Sequence, residues 1–381
     1  MKKIRAFFDS PGEPDKILFI FSSLLFLFGI SMLLSASGLN STIKGNSGFW
    51  DMIYPFLRQI LYFSGGLIFA VFVYLLNPDR LRGWPLIIAL LIVLVLMLAA
   101  CVFGQAANEA KRWLFFFQPS EFLKPVFVLY LASNLSRNQK TGPGCLIYPM
   151  ILLTIFIAVL YMQKDAGTII LLSLTAFLMM LGGRIPGKYL AGLFLVAVIL
   201  SPFYLMLGLK GTGRITTWSS YIFSDWGEPL KMEDNTQVAY SIMAIGTGGM
   251  FGKGLGLSEQ KIGQLTYAES DFIFSIIAEE LGFAGAMLAL ALFSIVAWRG
   301  LVIAKSSSNE YRYLAALGLT SCLALQSFIN IGMTTGILPT KGFTLPFFSN
   351  GGSSIVTTVV TISLLLALSR KPGRKSKCIT V

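Results

Sequence analysis

The sequence contains no histidine, so it lacks the side chain that most often shuttles protons near neutral pH and most often binds zinc. Charged residues are also scarce. They make up 13% of the 381 residues, whereas a typical soluble domain has about 25%. Hydrophobic residues make up 55%. These fractions predict a polytopic helical membrane protein, whose length reflects a bundle of spans and not a number of globular domains.

Cysteine is rare as well. The four cysteines are not paired at metal-ligand spacing, and they are Cys101, Cys145, Cys322 and Cys378. Cys101 and Cys322 fall within apolar runs. We therefore expect free thiols and no disulfide framework.

Acidic residues are outnumbered, 18 against 30 basic residues, which gives a net charge of +12. The basic residues lie in short segments between apolar runs, so no nucleic-acid partner is expected. The first apolar run has no signal-peptidase cleavage pattern and is predicted to be a retained span.

Apolar runs of about 20 residues, each long enough to cross a bilayer, predict the spans. They are 17–36, 56–76, 84–103, 120–135, 146–163, 166–183, 188–209, 271–298, 313–337 and 352–369. The eighth is long and has Gly282 and Gly285 near its middle, so we expect it to be bent or tilted. The expected fold is an all-α, polytopic integral membrane protein of about ten transmembrane helices.

The distribution of lysine and arginine predicts the orientation. Every second connecting segment, and both ends of the chain, carry at least two of them, which places both termini in the cytoplasm. The expected parts are a cytoplasmic tail (1–16), a ten-span domain (17–369) and a basic cytoplasmic tail (370–381). One large extracytoplasmic loop covers 210–270, and its apolar periodicity over 238–245 predicts a short helix lying on the membrane.

Asp271 stands where this loop enters the eighth span. A charge at the mouth of a hydrophobic segment is costly, and it marks a candidate functional site. The alternative is that Asp271 only caps the helix. Glu269 is two positions away, and two carboxylates this close could share a proton or a metal ion.

Several cations fall on the same predicted outer face and suit a ligand that carries phosphate or pyrophosphate. They are Lys111, Arg112, Arg214 and Lys341. Trp113 follows the first two, and Glu121 and Lys124 can pair at the start of the fourth span. The alternative is that the cations anchor lipid headgroups and that Trp113 belongs to the interfacial aromatic belt.

A Gly-Gly-Ser-Ser segment at 351–354 opens the last predicted span. Free backbone N–H groups and the positive end of the helix dipole would suit an anion there. The alternative is a simple capping turn in which Ser353 or Ser354 is the cap.

Taken together, these motifs resemble the SEDS family (shape, elongation, division and sporulation) over nearly the whole chain. The motifs are Lys-Arg-Trp at 111–113, Gln-Pro-Ser-Glu at 118–121, Gly-Leu-Gly at 254–256, Asp-Phe-Ile-Phe at 271–274, Glu-Glu-Leu-Gly at 279–282, Leu-Pro-Thr-Lys-Gly at 338–342, Leu-Pro-Phe at 345–347 and Gly-Gly-Ser-Ser at 351–354. The forms at 254–261 and 338–342 look more like the division branch than the elongation branch. The family usually has His-Thr where this chain has Glu269-Ser270, and Tyr where it has Asn350.

The resemblance implies an enzyme that polymerises lipid II, the undecaprenyl-pyrophosphate disaccharide-pentapeptide, into β-1,4 glycan strands during septal wall synthesis. The site would face outward from the cytoplasmic membrane of a bacterium. The family's essential aspartate matches Asp271, and its functional tryptophan matches Trp113. The expected substrate-binding residues are Lys111, Arg112, Trp113, Glu121, Lys124, Arg214, Glu269, Lys341, Ser353 and Ser354. The only cofactor that this expectation admits is a divalent cation, Mg²⁺ or Mn²⁺.

The resemblance also implies a class B penicillin-binding protein, a transpeptidase, as the main partner, besides other divisome membrane proteins and membrane lipid. Two other functions compete with polymerisation. One is a lipid II flippase, which should carry polar groups through the bilayer, whereas here they crowd the outer face. The other is a non-catalytic division scaffold, which would not require an intact Asp271.

Overall fold

The computed structural model describes residues 13–43, 49–107, 110–114, 117–137, 144–187, 190–191, 236–261, 265, 268–339 and 342–370. Within these ranges the chain forms ten α-helices and one antiparallel hairpin. The helices are α1 (Lys16–Ile43), α2 (Phe49–Leu75), α3 (Trp84–Phe103), α4 (Pro119–Arg137), α5 (Gly144–Met162), α6 (Ala166–Gly182), α7 (Thr236–Thr247), α8 (Ile273–Lys305), α9 (Glu310–Thr334) and α10 (Gly352–Ser369). The hairpin pairs β1 (Gln105–Ala107) with β2 (Ala110–Trp113).

The helices follow the apolar runs. Nine of the ten predicted spans coincide with α1 to α6 and α8 to α10, and the remaining one, 188–209, lies almost entirely outside the described residues. Helix α7 is the short helix predicted within the large loop. Six helices, α1, α2, α3, α8, α9 and α10, are long and apolar enough to cross a membrane. The predicted all-α polytopic membrane fold is confirmed, and the small β1–β2 hairpin between α3 and α4 is the element that the sequence did not predict.

Helix α9 lies at the centre of the bundle. It packs against α4, α6 and α8, while α10 runs along α2. Nearly all side chains of α10 are buried, whereas α2 and α3 expose many large apolar side chains, as helices facing lipid do. The first turns of α4, α6, α8 and α10 therefore converge at one end of the bundle.

Polar contacts mark the two ends of the bundle. At one end Asp15, which caps α1, pairs with Arg299 of α8, and Asp79 pairs with Arg312 at 2.7 Å. At the other end Ser35 of α1 donates a hydrogen bond to Glu280 of α8. The basic residues at the first end all belong to segments predicted to be cytoplasmic. These segments therefore lie at the same end of the bundle, as the predicted alternation of inner and outer segments requires.

The predicted bend of the eighth span is confirmed. Gly282 interrupts α8 with φ 68° and ψ −165°, which separates residues 273–281 from the longer remainder of the helix. Asp271 immediately precedes the shorter part.

Candidate functional site at the converging helix starts

Asp271 is not a helix cap. Helix α8 begins at Ile273, and its cap residue is Phe272, so the capping alternative is wrong. The side chain of Asp271 is half-buried, and no described residue donates a hydrogen bond to its carboxylate. Burial raises the pKa of Asp271 from its ordinary 3.8 to about 6, and the positive charge of Arg112 opposes this rise. A carboxylate with such a pKa suits general-base work near neutral pH.

The backbone of Asp271 is held by α9. The side-chain amide of Asn330, which is fully buried, donates hydrogen bonds to the carbonyl oxygens of Asp271 at 2.9 Å and Phe343 at 2.5 Å. The hydroxyl of Ser349 donates another to the carbonyl oxygen of Ser270. Helix α9 and the segment 342–350 thus fix the turn that carries the carboxylate.

Glu269 and Asn350 contact each other twice. The backbone N–H of Asn350 donates to the carbonyl oxygen of Glu269 at 2.8 Å, and its side-chain amide donates to the Glu269 carboxylate at 3.0 Å. These are two of the positions at which the chain departs from the usual family pattern. The residues at these two positions, Glu269 and Asn350, are therefore hydrogen-bonded to each other beside Asp271.

Arg112 ties the hairpin to the turn between α5 and α6. Its Nε donates to the carbonyl oxygen of Gln163 at 3.1 Å, and its Nη2 donates to that of Lys164 at 2.5 Å. Lys111, the preceding residue in β2, is exposed. Trp113 is half-buried at the end of β2. The structure thus brings Arg112 close enough to Asp271 for its charge to act there, and leaves Lys111 facing solvent.

Asp165 organises the first turns of α4 and α6, although the sequence did not single it out as a site residue. Its buried carboxylate accepts hydrogen bonds from the backbone N–H and hydroxyl of Thr168, from Ser120 and from Gln118. An aspartate directly before an apolar run is a recognisable cap signal. Its bonds to α4, however, join residues more than 40 positions apart, which no local pattern shows.

Glu121 and Lys124 form the predicted ion pair, and it is buried. The Lys124 Nζ lies 2.7 Å from the Glu121 Oε1 and also donates to Gln326 of α9 at 3.1 Å. Thr357 of α10 donates to the other Glu121 oxygen at 3.4 Å. The pair joins three helices below the site, and its contact with a substrate stays a prediction.

Ser353 and Ser354 are not helix caps, because the cap of α10 is Gly351. Ser353 accepts a hydrogen bond from the backbone N–H of Gln118 at 2.8 Å, and the hydroxyl of Ser354 is bonded to that of Thr344 at 2.9 Å. Both serines are buried, and they join α10 to α4 and to the segment 342–350.

Two of the predicted cations, Arg214 and Lys341, lie outside the described residues. Of the cysteines, Cys101 and Cys322 are free thiols, as predicted. Within the described ranges no group of three or more histidine, cysteine, aspartate or glutamate side chains could hold a metal ion.

Comparison with protein families gives a match over residues 15–373 to the model of the FtsW, RodA and SpoVE proteins, described as cell cycle proteins. Stage V sporulation protein E of Bacillus subtilis is 35% identical, over 94% of this chain and 97% of that protein. The probable peptidoglycan glycosyltransferase FtsW of Geobacter metallireducens is 32% identical, over 94% of this chain and 95% of that protein.

Two solved structures share the fold. A chain from a peptidoglycan synthase complex that coordinates polymerization and crosslinking matches with a TM-score of 0.75 and 24% identity, over 93% of this chain and 97% of that one. The rod shape determining protein RodA of Thermus thermophilus matches with a TM-score of 0.67 and 24% identity, over 93% of this chain and 96% of that one.

Proposed function

The chain belongs to the FtsW, RodA and SpoVE family of cell cycle proteins, and from that premise we propose that it is a peptidoglycan glycosyltransferase that polymerises lipid II. The observation that carries the proposal is Asp271. It is a half-buried carboxylate with a pKa of about 6, held by α9 at the end of the bundle where the polar motifs converge.

In the proposed reaction, one lipid II molecule offers the 4-hydroxyl of its N-acetylglucosamine. Asp271 takes the proton of that hydroxyl while the oxygen attacks the anomeric carbon of a second molecule. The bond from that carbon to the pyrophosphate oxygen breaks, and undecaprenyl pyrophosphate leaves. A single displacement inverts the α-linkage and gives the β-1,4 bond. The second acid of hydrolytic glycosidases is unnecessary, because pyrophosphate leaves readily once its charge is neutralised.

Cations would supply that neutralisation. The proposed set is Lys111, Arg112, Arg214 and Lys341. Arg112 donates to two backbone carbonyls, and its Nη1 lies 4.0 Å from the Asp165 carboxylate; its side chain is 28% exposed, so part of it is accessible to a ligand. The proposed substrate contacts further include Trp113, Glu121, Lys124, Glu269, Ser353 and Ser354.

A divalent cation fits this site only as a companion of the substrate. Mg²⁺ is commonly bound by one or two carboxylates together with substrate phosphates, and Asp271 and Glu269 are the carboxylates at hand. The described residues offer no third acidic ligand, so the pyrophosphate would have to complete the coordination. The cation would then neutralise charge on the leaving group.

We also propose that both termini are cytoplasmic and that the site faces outward from a bacterial cytoplasmic membrane. The lysine and arginine distribution supports this orientation. An impermeant maleimide should label a cysteine at the exposed Glu259 from outside intact spheroplasts, but not one at Ser308.

The similarity to a chain of a peptidoglycan synthase complex supports a class B penicillin-binding protein partner, and a septal role alongside other divisome proteins is part of the proposal.

Purified protein reconstituted with labelled lipid II tests the function. We expect glycan chains with the parent protein and none with Asp271→Asn. Movement of lipid II between leaflets without chain growth would identify a flippase instead. If neither chain growth nor movement is observed, a non-catalytic scaffold is favoured. Addition of EDTA, followed by Mg²⁺ or Mn²⁺, tests the cation in the same assay.

A further inference from the structure

The break in α8 exposes two carbonyl groups that a loop satisfies. In an unbroken helix the carbonyl oxygens of Glu279 and Glu280 would accept from the N–H groups four residues later. Here they accept instead from the backbone N–H groups of Lys253 and Gly254, both at 3.0 Å. Both donors belong to the glycine-rich segment 246–256, which includes the Gly-Leu-Gly motif at 254–256.

The same loop also satisfies the matching donors. The N–H of Phe283 donates to the carbonyl oxygen of Gly249 at 2.8 Å, and that of Ala284 donates to Met250 at 3.1 Å. Residues 249–254 are therefore inserted into the hydrogen-bond ladder of α8. They supply two N–H donors and two carbonyl acceptors in place of the two hydrogen bonds that the helix lacks. At these two steps each backbone donor and acceptor of α8 has a partner, as a buried chain requires.

The insertion depends on backbones in direct contact. A Cβ atom on Gly252 would lie 2.1 Å from the carbonyl oxygen of Glu280, and one on Gly282 would lie 2.3 Å from the nitrogen of Gly252. Both glycines also have positive φ, +79° and +68°. Only glycine combines this conformation with this proximity.

Two ion pairs lock the loop in place. Lys261 Nζ lies 2.6 Å from Glu280 Oε1, and both side chains are fully buried. Lys253 Nζ lies 3.1 Å from Glu279 Oε1, a carboxylate that also accepts from Ser258. Each carboxylate on the short part of α8 is therefore neutralised by a lysine from the loop, and removing a single partner would leave a buried charge unpaired.

We propose that residues 248–261 act as a splint, inserted into the ladder of α8, that sets the position of Asp271. Gly252, Lys261 and Glu280 are then positioning residues for the proposed polymerisation, and the inference rests on that proposed function. Asp271 immediately precedes residues 273–281, whose direction the splint fixes relative to the rest of α8. A misplacement of 1 Å in a reacting group can cost about 10²-fold in rate.

The test compares Gly252→Ala with Gly249→Ala. Both glycines lie in the loop and have positive φ, but a Cβ on Gly249 would meet nothing within 4 Å. The difference between the two variants therefore isolates the collision with α8 from the backbone strain that they share. Spin labels at positions 270 and 301, in a cysteine-free background, measure the distance between the Asp271 end and the exposed far half of the helix.

We expect Gly252→Ala to change this distance and to lower kcat by about 10²-fold with little change in KM. Gly249→Ala should keep the parental distance and remain within about threefold of the parental kcat. An unchanged distance in Gly252→Ala overturns the splint. A changed distance with parental kcat overturns its role in placing Asp271.

A second variant covers the case in which Gly252→Ala does not fold. Lys261→Met combined with Glu280→Gln removes both buried charges together and avoids leaving either one unpaired. It should shift the same distance and lower kcat, and parental values of both overturn the proposal. If the parent protein forms no glycan chains, the proposed function fails, whereas the distance in Gly252→Ala still decides whether the splint exists.

Discussion

The side-chain amide of Asn330 donates a hydrogen bond of 2.9 Å to the backbone carbonyl oxygen of Asp271. Replacement by leucine, Asn330→Leu, removes this bond and the one to Phe343, and leaves both carbonyls without that donor. Each unsatisfied buried group costs about 1–3 kcal/mol. We expect lower thermal stability and a lower rate at saturating lipid II. Ser327→Ala is the control, because Ser327 has no hydrogen bond to a described residue outside α9; equal rates in the two variants would contradict this role for Asn330.

Asp271→Asn should abolish polymerisation without loss of folding. An amide cannot act as a base, and losing a general base typically costs about 10²–10⁴-fold in rate. Folding should persist, because Phe272 and not Asp271 is the helix cap. Glu269→Gln should slow the reaction less. Glycan synthesis by Asp271→Asn at the parental rate would remove the catalytic assignment.

The pH dependence of the rate should follow Asp271. Since only the carboxylate form accepts a proton and its pKa is about 6, the rate should rise with pH through about 6 and then level off. The charge of Arg112 lowers this pKa, so Arg112→Gln should move the rise to higher pH. Lys111→Gln should move it less, because Lys111 is exposed. A pH–rate profile that Arg112→Gln leaves in place would show that another group titrates.

The same pKa predicts an effect on stability. The pKa of Asp271 is higher in the folded protein than its ordinary 3.8, so the folded state holds the proton more tightly, and the group's contribution to stability is lost as pH rises from about 4 through about 6. Asp271→Asn removes the ionisable group, and with it this loss of stability at high pH. The variant should therefore unfold at a higher temperature than the parent at pH 8, with the smallest difference near pH 4. A difference that does not vary with pH would contradict the raised pKa.

The buried pair Glu121–Lys124 should behave unlike a surface pair. Lys124→Met or Glu121→Gln alone leaves one buried group without its partner, which costs about 3–5 kcal/mol for an unpaired charge, whereas the double variant should cost less. The exposed pair Glu13–Lys16 is the control, since solvent screens such a pair and it contributes little to stability. Unfolding in detergent measures these three variants and their counterparts at Glu13–Lys16, and additive losses at Glu121 and Lys124 would show that the two do not interact.

The spans and the position of Asp271 could be predicted because they depend on local sequence. An apolar run fixes a helix by its own length, and Gly282 marks a bend in the run that contains it. A charge at the end of such a run is visible in the same way. These features need no knowledge of which helices are neighbours.

The contacts that hold the site could not be predicted. Asn330 is one amide within an apolar helix, and its partner Asp271 lies 59 positions away. The glycines near 250 look like a flexible loop until the gap in α8 that they fill is known. The β1–β2 hairpin has no β-branched residue, and the contacts of Arg112 with the α5–α6 turn help to hold it.

Two contacts between α1 and α8 are separated by about the thickness of a membrane's hydrocarbon layer. Asp15, which meets Arg299, and Ser35, which meets Glu280, are 20 positions apart. Twenty residues of helix rise about 30 Å, which is the thickness of the hydrocarbon layer. Ser35 and Glu280 therefore mark one boundary of that layer, at the end of the bundle where Asp271 lies. In the proposed reaction, a polyprenyl tail would then remain in the hydrocarbon layer while its sugar reaches the carboxylate.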